Sequence, residues 1–311
     1  MSTTVRALRE ADLAEADRIF RVAFGTFLGM SDPTRFGGDT DYVRTRFRLD
    51  PAGAFAAERD GVLAGSVFAV LWGSVGFFGP LSVRPELWDQ KVAQALLDPV
   101  MARFAERGVT HAGLFTFAQS PKHVGLYGKY GFAPRFLTIV AAKPVAARKT
   151  TGAWHRLSVI ADRSRAVAGC RAVSETVYPG LDLAEELDAS VAHAIGDAVL
   201  VDDAHVPTGF ALCHVGAGTE AGTGACYVKF GAVTSGADAP SRFERLLDAC
   251  EAYAAEAGAQ TLVAGVNLAR EGAAAALRAR GFRTVIQGVA MHRPNVPGYG
   301  HPDAWALDDW R

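Results

Sequence analysis

Cysteine is scarce in this 311-residue chain. Cys170, Cys213, Cys226 and Cys250 stand far apart, none in the first half and no two at a CxxC spacing. That excludes a disulfide framework and the usual zinc spacings, and it fits free thiols in a reducing, cytoplasmic compartment. A basic excess is also lacking. The net charge is -1, so nothing in the charge balance serves to neutralise phosphates, and nucleic acid is not an expected partner. No apolar run opens the chain: Arg6, Arg9, Glu10 and Asp12 stand where a signal peptide would need one. Charge itself is missing between Asp60 and Arg84, a stretch long enough to span a bilayer. Gly61, Gly65, Gly73, Gly76, Gly79 and Pro80 interrupt it, so it reads as two buried strands around a turn at Trp72-Gly73-Ser74, and no membrane partner is expected.

What the chain does have is a repeat. Leu96, Leu97 and Asp98 return as Leu246, Leu247 and Asp248, Gly108 returns as Gly258, and Gly131-Phe132 as Gly281-Phe282, always 150 residues on. A spacing kept across a helix, a strand and a second helix marks a repeated domain. About 150 residues is also enough for a self-sufficient core. We place one copy at 1–147 and the second, with a tail, at 148–311, joined through the polar, aperiodic stretch 143–152.

Hydrophobic periodicity and turn residues predict, in the first copy, a strand at 4–9, a helix at 11–24, a Gly/Asp/Pro-rich loop and a short helix at 42–48. Strands at 54–58, 62–72 and 75–83 follow, with Arg59-Asp60-Gly61 as a hairpin turn. Then come a helix at 90–106, a strand at 111–117, a short helix at 122–130 closed by Gly131, and a strand at 135–142. The second copy runs in the same order: two helices within 161–194, strands at 198–201, 209–215 and 225–233, a helix at 242–257, a strand at 261–266, a helix at 270–280 and a strand at 284–292. Gly216 to Gly224 imitates a nucleotide loop, but a strand follows it, so it is expected to be a hairpin turn. Asp308-Asp309 is read as a pair of adjacent carboxylates without a His or a third acid, so it is expected to be solvated and no metal site is assigned. Residues 295–311 form a Pro/Gly-rich tail packed by its tryptophans, and the terminal carboxylate of Arg311 is a candidate to enter a site.

Two stretches carry a resemblance. One is Leu81-Ser82-Val83-Arg84-Pro85-Glu86 running into a helix. The other is Gly125-Leu126-Tyr127-Gly128-Lys129-Tyr130-Gly131-Phe132, which reproduces the pattern Leu-Tyr-x-Lys-x-Gly-Phe. In this order of elements the chain resembles the GNAT superfamily of N-acetyltransferases, as two tandem copies. The fold class implied is α+β: two GNAT-like domains, each a mixed, mostly antiparallel sheet flanked by helices.

The resemblance implies acetyl-CoA as cosubstrate and direct attack of an amine on its thioester. It gives the pantetheine to the backbone of Leu81, Ser82 and Val83, on a strand that splays from its neighbour in the family. The pyrophosphate goes to the turn Trp88, Asp89, Gln90, Lys91, Val92 and Ala93, where free N–H groups and the helix dipole attract anions. The family turn is Arg/Gln-x-x-Gly-x-Gly/Ala; here Trp88 replaces the polar residue and Lys91 the first glycine, while Ala93 fits. Tyr127 is implied to protonate the leaving thiolate, and Ser120 stands where the family often has Asn. His123, one turn before Tyr127 on the same helix face, is a candidate to tune or relay the proton. The base is either a water held by backbone carbonyls or Glu86. Phe24, Phe27, Phe36 and Tyr42, with Phe47 nearby, suggest an aromatic-lined pocket for the acceptor.

In the second copy the turn positions are Asp238, Ser241 (expected as a helix cap) and Phe243, and Leu277 replaces the tyrosine. That copy is expected to be degenerate. The leading expectation is an N-acetyltransferase acting on a primary amine of a small molecule or peptide, with a homodimer left open. The alternative is a non-catalytic acyl-CoA-binding or interaction protein. A transferase using aminoacyl-tRNA, as other paired domains of this kind do, would need a basic face that the charge balance does not supply.

Overall fold

The repeated glycines repeat in conformation: Gly108 and Gly258 have φ of 68° and 73°, and Gly131 and Gly281 have φ of 82° and 84°. These left-handed positions end corresponding helices in the two halves, where a side chain would be strained. The computed structural model describes residues 3–146, 153–203 and 206–311.

The first half runs β1 (Thr3–Ala7), α1 (Leu13–Phe27), α2 (Tyr42–Leu49), β2 (Ala54–Arg59), β3 (Val62–Trp72), β4 (Val75–Phe78), β5 (Ser82–Val83), α3 (Val92–Glu106), β6 (His111–Thr116), α4 (Pro121–Gly128) and β7 (Ala133–Pro144). The second runs β8 (Trp154–Arg156), α5 (Arg163–Val177), α6 (Ala184–Ala192), β9 (Gly196–Asp203), β10 (Val206–Gly216), β11 (Gly222–Val233), α7 (Ala239–Glu256), β12 (Thr261–Asn267), α8 (Glu271–Ala279) and β13 (Arg283–Arg293). A short β14 (Ala306–Leu307) lies in the tail. The expected order of elements is present, and the mixed sheet is mostly antiparallel. The Asp60-Gly61 hairpin turn has positive φ at both residues, as a two-residue turn between twisted strands requires.

Among the described residues the strands form one sheet in the order β1-β2-β3-β4-β6-β13-β7-β12-β11-β10-β9-β8. The last strand of each half therefore lies beside the other half. β7 pairs with β12 from Thr138 to Pro144, and β13 pairs with β6 from Val289 to Arg293. The expected linker at 143–152 begins too early, because Lys143 and Pro144 are paired in β7. The proposed boundary at 147/148 lies outside the described residues.

Two further expectations are corrected. Asp308 and Asp309 are not solvated but buried: Arg270 pairs with Asp308 at 2.9 Å, and the Tyr227 hydroxyl donates to Asp309 at 3.1 Å. Ser241 is not the cap of α7. It lies inside the helix, and its hydroxyl donates to the Asp238 carbonyl at 2.9 Å. The Gly216 to Gly224 segment is a hairpin turn as expected, but it also crosses to the first half. Its Glu220 is buried between Arg46 (2.9 Å) and Lys229 (2.7 Å). Burial opposes ionisation of Glu220, and the two cations outweigh it, holding the carboxyl well below its usual range. Among the described residues no helix is long and apolar enough to cross a membrane.

Candidate active site

The strand expected at 75–83 is broken, and the break makes the site. β4 stays paired with β6 only from Val75 to Phe77. Gly79 and Pro80, joined by a cis peptide, interrupt the ladder, since proline has no N–H to give it. The chain resumes as β5, held by β3 through Ser82 and Val83 rather than by β6. The gap opens into a cavity of about 970 Å³.

Tyr127 lines this cavity from α4, its ring 5.7 Å from that of Phe78. Burial raises its phenol above the usual value, so it is protonated at neutral pH. A protonated phenol on a cavity wall has a proton to give, and burial makes it a weaker acid than a free phenol. His123 lines the same cavity, edge-on to Phe27 at 4.7 Å, with Nδ1 buried and unpartnered. Burial and then Lys122 lower its pKa, so it is neutral at pH 7.

Leu81, Ser82, Val83, Trp88, Asp89, Lys91, Val92 and Ala93 also line the cavity. Helix α3 starts at Val92, and Lys91 before it adopts φ 63°, the left-handed conformation that glycine adopts without strain. The lysine thus keeps the backbone shape of the glycine it replaces. Asp89 has the same φ of 63°. The Trp88 indole donates to the Val83 carbonyl at 2.9 Å, occupying one polar group of the strand expected to hold pantetheine. Lys122 reaches from α4 to Asp89 at 2.9 Å and lies 5.1 Å from the centre of the Trp88 ring. The residues present fit a pyrophosphate and a pantetheine: a helix start, a cation beside it, and a strand freed from one neighbour.

Other expected residues lie elsewhere. Glu86 is exposed, pairs loosely with Arg84 at 3.6 Å and does not line the cavity. Gln90 is exposed, hydrogen-bonded to Arg59 and to the Glu86 carbonyl. Ser120 is buried and caps α4, accepting from the His123 N–H at 3.4 Å. Phe24, Phe27, Phe36 and Tyr42 line the cavity, with Phe24 stacked on Phe36 at 5.3 Å, whereas Phe47 packs in the core beneath α1.

Sequence reasoning missed the far wall. Val285 and Ile286 of β13, then Trp310 and Arg311 of the tail, complete the cavity from the second half. The one signal was the candidacy of the Arg311 terminal carboxylate, not of its side chain. In the second half β14 pairs with β11 at Gly231 and Ala232, which lie 150 residues after Leu81 and Ser82. Trp305 packs on Phe243, the residue corresponding to Ala93. The tail fills the second cleft with its own main chain.

Residues 19–132 match the family model described as the Acetyltransferase (GNAT) family. No curated protein matches the chain. Among solved structures, a putative acetyltransferase from Pyrococcus horikoshii superposes with a TM-score of 0.68 at 15% identity, over 99% of this chain and 95% of that one. A GCN5-related N-acetyltransferase from Sphaerobacter thermophilus gives 0.58 at 14%, over 94% and 95%. A conserved protein of unknown function from Enterococcus faecalis, described as a probable N-acyltransferase, gives 0.53 at 12%, over 94% and 73%. At these identities the likeness is one of fold, and it extends over the second half as well as the first.

Proposed function

We propose, for a chain whose residues 19–132 match the model of the GNAT acetyltransferase family, an N-acetyltransferase that moves the acetyl group of acetyl-CoA to a primary amine of a small molecule or peptide. The amine nitrogen forms a bond to the acetyl carbon, the carbon–sulfur bond breaks, and Tyr127 gives its proton to the departing sulfur. Water carries the proton lost by the amine and restores the phenol. The coenzyme supplies the activated thioester. The start of α3, with Lys91, Val92 and Ala93, would hold its pyrophosphate, and Leu81, Ser82 and Val83 its pantetheine. His123, neutral and on the same cavity wall, would tune or relay the Tyr127 proton. The observation that carries this is the buried, protonated Tyr127 hydroxyl beside the gap between β5 and β6.

The test is Tyr127→Phe. Turnover is expected to fall by a factor of about 100 or more, with acetyl-CoA affinity unchanged. Equal losses in both would remove Tyr127 from the chemistry. A second reading, binding of acyl-CoA without transfer, is favoured by the Trp88 indole on the Val83 carbonyl. Acetyl-CoA binding with no turnover over a broad amine panel would decide for it.

A further inference from the structure

We infer that Arg311 reads a carboxylate on the acceptor, so that the amine acetylated belongs to an α-amino acid with an apolar or aromatic side chain. This rests on the acyl-transfer reading above and names its substrate class.

The tail is fixed before it reaches the cavity. Asp308 accepts from Arg270 at 2.9 Å and from the Tyr299 hydroxyl at 2.7 Å. Asp309 accepts from Tyr227 at 3.1 Å and from the Arg311 N–H at 3.1 Å. Trp310 lies flush on Gly113, where a Cβ would fall inside the indole. Its Nε1 donates to the Tyr299 hydroxyl at 3.1 Å. Buried groups with satisfied partners on both sides of Trp310 hold the main chain of Arg311 in place.

Arg311 lines the cavity that Tyr127 and Phe24 also line. The guanidinium rests on the Tyr227 ring, 4.3 Å from its centre. Its one carboxylate partner among the described residues is Asp309, met through Nε at 3.4 Å. No carboxylate or carbonyl of the described residues accepts a hydrogen bond from its terminal nitrogens. The neighbouring cations differ. Arg46 is saturated by Glu220 and by the main-chain oxygens of Gly79 and Arg311, and Lys229 by Glu220. Arg311, with a hydrogen bond to the Tyr227 hydroxyl and the Asp309 contact, is therefore the cation of this cluster with the fewest partners, and the N–H groups left on its planar fork match a carboxylate with two parallel hydrogen bonds. The rest of this wall is Phe24, Phe36, Tyr42 and Trp310, which suits an apolar body. An amine lacking the carboxylate would leave the remaining N–H groups dry and unpaired, which a polar site penalises strongly.

Calorimetry with phenylalanine against phenethylamine, and leucine against isoamylamine, tests this on the whole chain with and without saturating coenzyme A. Each pair differs only by the carboxylate. The wild type is expected to bind the amino acid at least tenfold more tightly. Arg311→Gln should erase that preference, with acetyl-CoA binding retained as the sign that the variant folds despite the unpaired Asp309. Arg311→Lys, with the charge but no fork, should restore part of it. Equal binding within each pair, no binding of either amino acid, or a preference that survives Arg311→Gln overturns the inference. Turnover is read separately: preferential binding without acetylation keeps this site and sinks the acyl-transfer reading.

Discussion

The indole of Trp310 covers the backbone of Gly113 so closely that no side chain fits between them. Gly113 is the last β6 residue opposite β4 before the strands part, so one glycine lets the tail of the second half form a wall of the first half's cavity. Gly113→Ala is expected to push Trp310 out, cost about 1–3 kcal/mol by overpacking, and alter acceptor selection while sparing acetyl-CoA affinity. Denaturant unfolding and calorimetry check both halves of the prediction.

Lys91 is strained where the family has glycine. Lys91→Gly should raise stability by about 1 kcal/mol, since a left-handed non-glycine residue costs roughly that much. Lys91→Ala keeps the strain and should give no gain. Urea denaturation of the two variants separates backbone strain from the lost charge.

One acetyl-CoA per chain is the expected stoichiometry. The second cleft is filled by β14, and its turn carries Asp238 and Phe243 in place of a phosphate cradle. Two equivalent sites in a calorimetric titration would mean that the tail leaves its groove.

Three buried histidines set an acid limit. Burial holds His214 and His292 at about 3 and His111 at about 4, against an ordinary 6.5. The unfolded chain takes up their protons near 6.5 and the folded chain does not. Stability is therefore complete above pH 6.5 and is lost as pH falls toward 4, by up to about 1.4 kcal/mol per pH unit for each histidine. Unfolding curves at pH 7, 6 and 5 should show the decline. His214→Leu should flatten it, because neither ring nitrogen of His214 has a partner to lose.

Residues 81–97 and 125–132 made the first copy's cleft and Tyr127 legible, because a phosphate turn and a helix-borne tyrosine are local features. Glu86 was misplaced for the converse reason. It stands in the right turn of the sequence, but that turn directs it to solvent, 63% exposed. Asp308 and Asp309 looked like surface carboxylates because their partners, Arg270 and Tyr227, stand far back along the chain.

The sequence alone determined the 150-residue repeat, the order of elements and the turns that need a left-handed glycine. All of these are written in spacing and side-chain type over a few residues. Only the tertiary structure decided that β7 and β13 lie beside the opposite halves, that the tail fills the second cleft, and that Trp310 and Arg311 wall the first. The physical reason is that a strand edge presents the same N–H and C=O groups whatever its side chains. Which edges meet is settled by how the whole core closes around Gly113 and the buried ion pairs.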